Sequence, residues 1–141
     1  MTTLRILVFP LLFAAACARQ PDPARALRGA SDGPASIALP NNLLELMEKA
    51  DVKRGEALFV SKGCKACHNL TDVKLVGPGL QGVLERRHLN WVARMILRPD
   101  VMVKQDAEAK QLFALVMTPM ANQNVAVETE LPALLALLKS L

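Results

Sequence analysis

Cys64-Lys65-Ala66-Cys67-His68 is the stretch on which the reading of this chain turns. Two cysteines separated by two residues and followed at once by histidine form the C-x-x-C-H pattern. The spacing suits a porphyrin. Two thiols add to two vinyl groups of one ring and form thioethers, and two intervening residues keep both sulfurs at one ring edge. The adjacent His68 then lies under the iron and donates a ring nitrogen to it. A C-x-x-C pair alone also serves thiol exchange or half of a zinc site, but neither needs the histidine. A chance pentapeptide on a surface turn is the remaining alternative. The motif points to one covalent haem c.

Composition agrees with a small domain built around a large apolar body. The chain has 141 residues, 52% of them hydrophobic but only 4% aromatic, with no Tyr and a single Trp. That length gives one domain and a tail. The core is short of large side chains, and a buried porphyrin supplies what is missing. The formal charge of +4 is mild, and no basic patch with interleaved aromatics marks a nucleic-acid binder.

The N-terminus reads as an export signal. Met1 to Arg5 carries one positive charge, and Ile6 to Ala16 is an apolar run. This is the n-region and h-region of a secretory leader. It is short of the ~20 residues of a transmembrane helix. Leu12-Phe13-Ala14-Ala15-Ala16-Cys17 resembles a bacterial lipobox, with Ala14 where Leu is commoner. Residues 1–16 are therefore expected to be removed, leaving Cys17 as a lipidated N-terminus. An ordinary cleaved signal and an uncleaved anchor are the alternatives. All three put the mature chain outside the inner membrane, where bacterial c-type haem is attached. The lipid also accounts for an odd third cysteine.

Residues 17–40 are rich in Ala, Pro, Gly, Arg and Ser and lack a hydrophobic period. They read as a flexible tether, with the globular domain at 41–141. Helices are expected over Leu43 to Lys49 and over Val52 to Ser61, the second capped by Asp51. Gly55 weakens that second helix, which is reasonable where another helix crosses closely. Leu84 to Arg98 forms a third helix, ended by Arg98-Pro99. Asp106 caps a fourth over Ala107 to Val116. A last helix over Glu130 to Leu141 shows an amphipathic stripe of Leu131, Leu134, Leu135 and Leu138, with Pro132 in its first turn.

Arg54-Gly55-Glu56-Ala57-Leu58-Phe59, followed by the haem motif, resembles the start of a class I cytochrome c. The likeness covers about 51–141. It implies an all-α fold in which the N- and C-terminal helices cross at the Gly and wrap, with loops, round one covalent haem. Leu137 stands where the family usually has an aromatic, which implies a different crossing contact. Val76-Gly77-Pro78-Gly79-Leu80-Gln81-Gly82 matches the family's G-P-x-L-x-G segment. By that resemblance the Pro78 carbonyl accepts the ring N–H of His68, a bond that fixes the ring plane. Arg86 and Arg87 are either solvated or neutralise a haem propionate. Trp91 is either core or a propionate donor.

The sixth iron position has candidates in Met95, Met102, Met117, Met120 and His88. Met95 falls on an apolar helix face, and Met102 has little to single it out. Met117-Thr118-Pro119-Met120 is a Pro-containing break between helices, where a rigid turn aims a thioether. The family carries its ligand in such a loop, so the resemblance implies Met120, with Met117 and His88 as alternatives. His/Met iron has no open site, so the expected function is electron transfer rather than catalysis, with no small-molecule substrate. The expected protein is a carrier or relay on the periplasmic side, lipid-anchored to a bacterial membrane. It meets redox protein partners by transient docking, and Lys62, Lys65 and Lys74 either steer them or are scattered surface lysines. A haem subunit of a larger oxidoreductase complex is the alternative, and then a gas-binding or peroxidase-type protein.

Overall fold

A computed structural model describes residues 31–141, all of whose regular elements are helical. Seven α-helices run in order. They are α1 (Leu43–Glu48), α2 (Val52–Ser61), α3 (Val83–Arg86), α4 (Leu89–Leu97), α5 (Pro99–Gln105), α6 (Ala107–Val116) and α7 (Leu131–Lys139). A single 3-10 turn, Cys64–Ala66, follows α2. Among the described residues no helix is long and apolar enough to cross a membrane. The leader and Cys17 lie outside the described residues.

Capping chemistry sets the helix starts. The Asp51 carboxylate accepts from the backbone N–H of Lys53 at 2.9 Å, and that of Asp106 accepts from Ala109 at 2.9 Å. Each satisfies one of the N–H groups that a helix start leaves without an internal partner.

The central packing event is the crossing of α2 and α7. A Cβ on Gly55 would stand 2.2 Å from the Ala133 carbonyl oxygen and 2.9 Å from Leu137 Cβ. Only glycine lets the helices approach so closely. Leu131 to Leu138 are all buried, so the expected stripe is a helix covered all round. Neighbours on several sides explain this: α1 and α2 pack on α7, while Leu134 and Leu138 face an interior cavity. Leu137, in the position expected for an aromatic, closes the crossing.

Two expectations change. The helix expected over 84–98 is two helices, because Arg87 is extended (φ −136°, ψ 148°) and His88 starts α4. Pro99 does end α4, but it also opens α5, where its fixed φ suits a first turn and its missing N–H costs little.

The second change concerns the tether. Of residues 17–40, the described part, 31–40, lies against the domain. Ile37 is only 6% exposed and joins the core. Its carbonyl accepts from Arg94 Nε at 3.0 Å, Arg94 also donates to the Asp32 carbonyl, and Ser31 Oγ donates to Asp106 Oδ2 at 2.7 Å. Apolar Ile37-Ala38-Leu39 between two prolines was the overlooked signal. The packed unit therefore begins before residue 41.

Candidate haem site

The motif turn follows from the end of α2. Gly63 takes a left-handed φ of 75°, and the chain enters the 3-10 turn. Both Cys67 N–H and His68 N–H donate to the Cys64 carbonyl, at 3.1 Å and 3.0 Å. This coil brings Cys64, Cys67 and His68 to one wall of a cavity of about 310 Å³. Both thiols are free of disulfides. Burial pushes the Cys64 thiol above its ordinary pKa, with a backbone hydrogen bond opposing it.

The Gly-Pro loop then turns back over His68. Gly77 N–H donates to the Cys67 carbonyl at 2.8 Å, and His68 Nδ1 lies 2.9 Å from the Pro78 carbonyl oxygen. A carbonyl only accepts, so Nδ1 carries the proton and Nε2 keeps its lone pair for a metal. Gly77 packs directly on the ring. The loop is held from behind by Arg86, which donates to the Gly79 carbonyl at 3.1 Å and also to the Gln81 carbonyl.

The rest of the cavity wall is apolar. Phe59, Leu134 and Leu138 come from α2 and α7, Trp91, Val92, Met95 and Ile96 from α4, and Ala109, Leu112, Phe113 and Val116 from α6. The loop Thr118-Pro119-Met120-Ala121 completes it. An apolar chamber with two free thiols and an oriented imidazole fits a covalent haem. It does not fit zinc, because among the described residues no group of three or more metal-ligating side chains is assembled.

Every expected site residue of the domain reaches this cavity: Cys64, Cys67, His68, Pro78, Arg86, Arg87, Trp91 and Met120. Three of the four competing ligands separate from them. Met117 does not line the cavity. It closes α6 in a left-handed conformation (φ 59°) with 79% of its surface exposed. Met102 is buried in the core. His88 Nδ1 lies 2.6 Å from Asp32 Oδ1, outside the cavity lining. Met95 does line the cavity, but from a helix face.

The structure bears on three readings that the sequence leaves open. Trp91 presents its ring to the cavity, while its Nε1–H donates to Asp106 Oδ1 at 2.9 Å. That N–H is engaged by Asp106 and the residue is buried, in line with the reading of Trp91 as core. Arg87 is not a solvated side chain. It is buried 3.5 Å from Glu108 Oε2, with its guanidinium 5.6 Å from the centre of the Trp91 ring. Lys62 is paired with Glu130 at 2.7 Å. Lys65 and Lys74 remain exposed.

Sequence reasoning found Asp106 as a helix cap but missed its second use. Its carboxylate also accepts from Trp91 and Ser31. Burial raises its pKa, but the bonds from Trp91, Ala109 and Ser31 outweigh this and hold it below the usual carboxylate range. No pattern in the sequence pairs residues so far apart.

No family model matches the chain. A 37-residue stretch is 54% identical to cytochrome c-551 of Stutzerimonas stutzeri, covering 26% of this chain and 35% of that relative. The match thus spans about a third of the curated relative. Cytochrome c from Rhodothermus marinus superposes with a TM-score of 0.61 and 28% identity, over 77% of this chain and 89% of that one. An engineered form of the Rhodothermus protein gives a TM-score of 0.60 and 27% identity, over 77% and 90% of the two chains.

Proposed function

Because this chain is a class I c-type cytochrome with one covalent haem c, we propose that it carries single electrons on an iron held by His68 and Met120. It works from the periplasmic side of a bacterial membrane, tethered through lipid on Cys17, as a carrier or relay in a respiratory chain. The observation that carries this reading is the sorting of ligands. His68, oriented through Nδ1 by Pro78, and Met120, on a Pro-containing loop, both line the cavity, while Met117, Met102 and His88 do not.

The haem, when bound, supplies a one-electron iron couple. Cys64 and Cys67 would hold it by thioethers. Pro78 fixes the His68 tautomer and ring plane and makes the imidazole a stronger donor. Met120 would supply a thioether to the iron, a soft ligand that would favour the ferrous state. The apolar walls would limit water around the group, so that the charge change would meet little solvent reorganisation. Partners dock by small transient contacts, with Lys65 and Lys74 as the exposed cations near the motif.

The test uses the haem-loaded protein. The oxidised form is expected to show the weak far-red sulfur-to-iron band, and the reduced form is expected to ignore carbon monoxide. Met120→Ala removes the band and lowers the potential. Rapid gas binding by the unaltered protein sinks the carrier reading, and an unchanged band in Met120→Ala sinks the ligand. Mass spectrometry of the mature N-terminus checks the lipid, and an unmodified start at Cys17 or later refutes it.

A further inference from the structure

Behind the α4–α6 wall of the cavity lies a carboxyl group that the electron-transfer site does not use. Glu108 sits in the first turn of α6 and is 5% exposed. Its Oε2 faces Arg87 Nε at 3.5 Å, and its buried Oε1 has no hydrogen-bond partner among the described residues. A buried carboxylate oxygen without a donor carries a desolvation cost, and protonation relieves it. The pair adjoins the cavity, since Arg87 itself, Arg86 before it and Ala109 after Glu108 all line the wall.

Two charged groups act on Glu108. Arg87 comes from the segment joining α3 to α4, and Asp106 from the start of α6. Neighbouring His88 is turned to Asp32. Asp106 is fixed as an anion by three donors, so it repels a second negative charge on Glu108. Burial, opposed by Arg87 and reinforced by Asp106, lifts the Glu108 carboxyl above its ordinary pKa.

We infer that Glu108 is a redox-linked proton site, taking up one proton from solvent when the haem in the adjoining cavity is reduced and releasing it on oxidation. The balance is one electron delivered by the redox partner to ferric iron and, in each molecule whose Glu108 is ionised before and protonated after, one proton added to that carboxylate, giving ferrous iron and a neutral acid. The added electron makes the cavity more negative by one unit. In an apolar interior that change is weakly screened, and a buried carboxylate behind the wall loses stability relative to its acid. Linkage is reciprocal: whatever reduction does to proton binding, protonation does to reduction. The inference rests on the one-electron reading of the haem but not on the identity of the sixth ligand.

The experiment is a spectroelectrochemical titration of the haem-loaded protein from pH 4 to 9, beside Glu108→Gln. Reduction is expected to tighten proton binding at Glu108 about tenfold, so that the potential falls by about 59 mV in all as pH rises through the window above the ordinary glutamate range. Glu108→Gln flattens that step and leaves any propionate titration in place. The same step, undiminished in size and at the same pH in Glu108→Gln, overturns the proposal. Should that variant fail to take up haem, the infrared difference spectrum of the unaltered protein decides. A carboxylic-acid band appearing on reduction must shift when the protein glutamate, but not the haem, carries 13C at its carboxyl. No band, or an unshifted one, overturns the proposal. Carbon monoxide binding by the reduced protein would refute the carrier reading and leave this titration readable.

Discussion

Gly55 on α2 and Ala133 on α7 meet backbone to backbone: a Cβ on Gly55 would stand 2.2 Å from the Ala133 carbonyl oxygen. The obstacle is main chain, so it cannot rotate away. Gly55→Ala gains roughly 1 kcal/mol of helix propensity. It also forces the helices apart, at a cost of about 1–3 kcal/mol for overpacking. The expected outcome is a net loss of stability in urea unfolding of the haem-loaded protein. A midpoint equal to or above that of the parent would show that the crossing relaxes freely.

A second close approach acts on chemistry rather than packing. A Cβ on Gly77 would lie 2.5 Å from His68 Cε1 and 2.9 Å from Nδ1. Gly77→Ala is expected to push the ring off the Pro78 carbonyl and weaken the bond that makes it a stronger donor. A weaker donor stabilises ferric iron less, so the reduction potential rises. An unchanged potential and absorption spectrum would mean that the ring orientation is set elsewhere.

Met117 offers a test of the ligand assignment from the opposite side. It is exposed and holds φ 59° at the end of α6, where glycine is favoured. Met117→Gly is expected to raise stability by about 0.5–1 kcal/mol and leave the far-red band intact. Loss of the band would make Met117 the ligand.

Asp106 and Glu108 set opposite pH limbs of stability. The Asp106 carboxyl is held low, so its contribution is present above the ordinary aspartate pKa and is lost as pH falls through the folded value. The Glu108 carboxyl is raised, so stability is fullest below the ordinary glutamate pKa and declines as pH rises through the folded value. Asp106→Ala also strips a helix cap and leaves the buried Trp91 N–H without its acceptor, about 2–4 kcal/mol together. Urea midpoints against pH read both limbs. An acid limb undiminished in Asp106→Ala would assign it to another group.

The packed segment before residue 41 predicts a boundary. A protein starting at residue 41 lacks Ile37, which is 6% exposed, and leaves Arg94 without the Ile37 carbonyl. It is expected to be about 2–4 kcal/mol less stable than one starting at residue 31. Equal thermal midpoints would show that the strap adds nothing.

The parts of this fold written in short-range chemistry were readable in advance. Asp51 and Asp106 announce helix starts, Gly55 announces a crossing, and the spacing of Cys64, Cys67 and His68 announces their shared wall. What escaped depends on distant partners. Pro99 looks like a stop because its ring breaks the helix behind it, yet the same ring opens the helix ahead. The hydrogen bonds of Trp91 and Ser31 to Asp106, and the seating of Arg87 on Glu108, exist only once α4 and α6 pack. The sequence 31–40 has tether composition, and one isoleucine and two carbonyls are enough to fasten it.

That fastening shortens a leash. If Cys17 holds the lipid, the chain from residue 17 to residue 30 reaches at most about 50 Å when fully extended, against roughly 80 Å for a tether running to residue 40. A smaller accessible hemisphere raises the local concentration of the electron carrier at the membrane. It favours partners seated on the same surface over those further away in the periplasm.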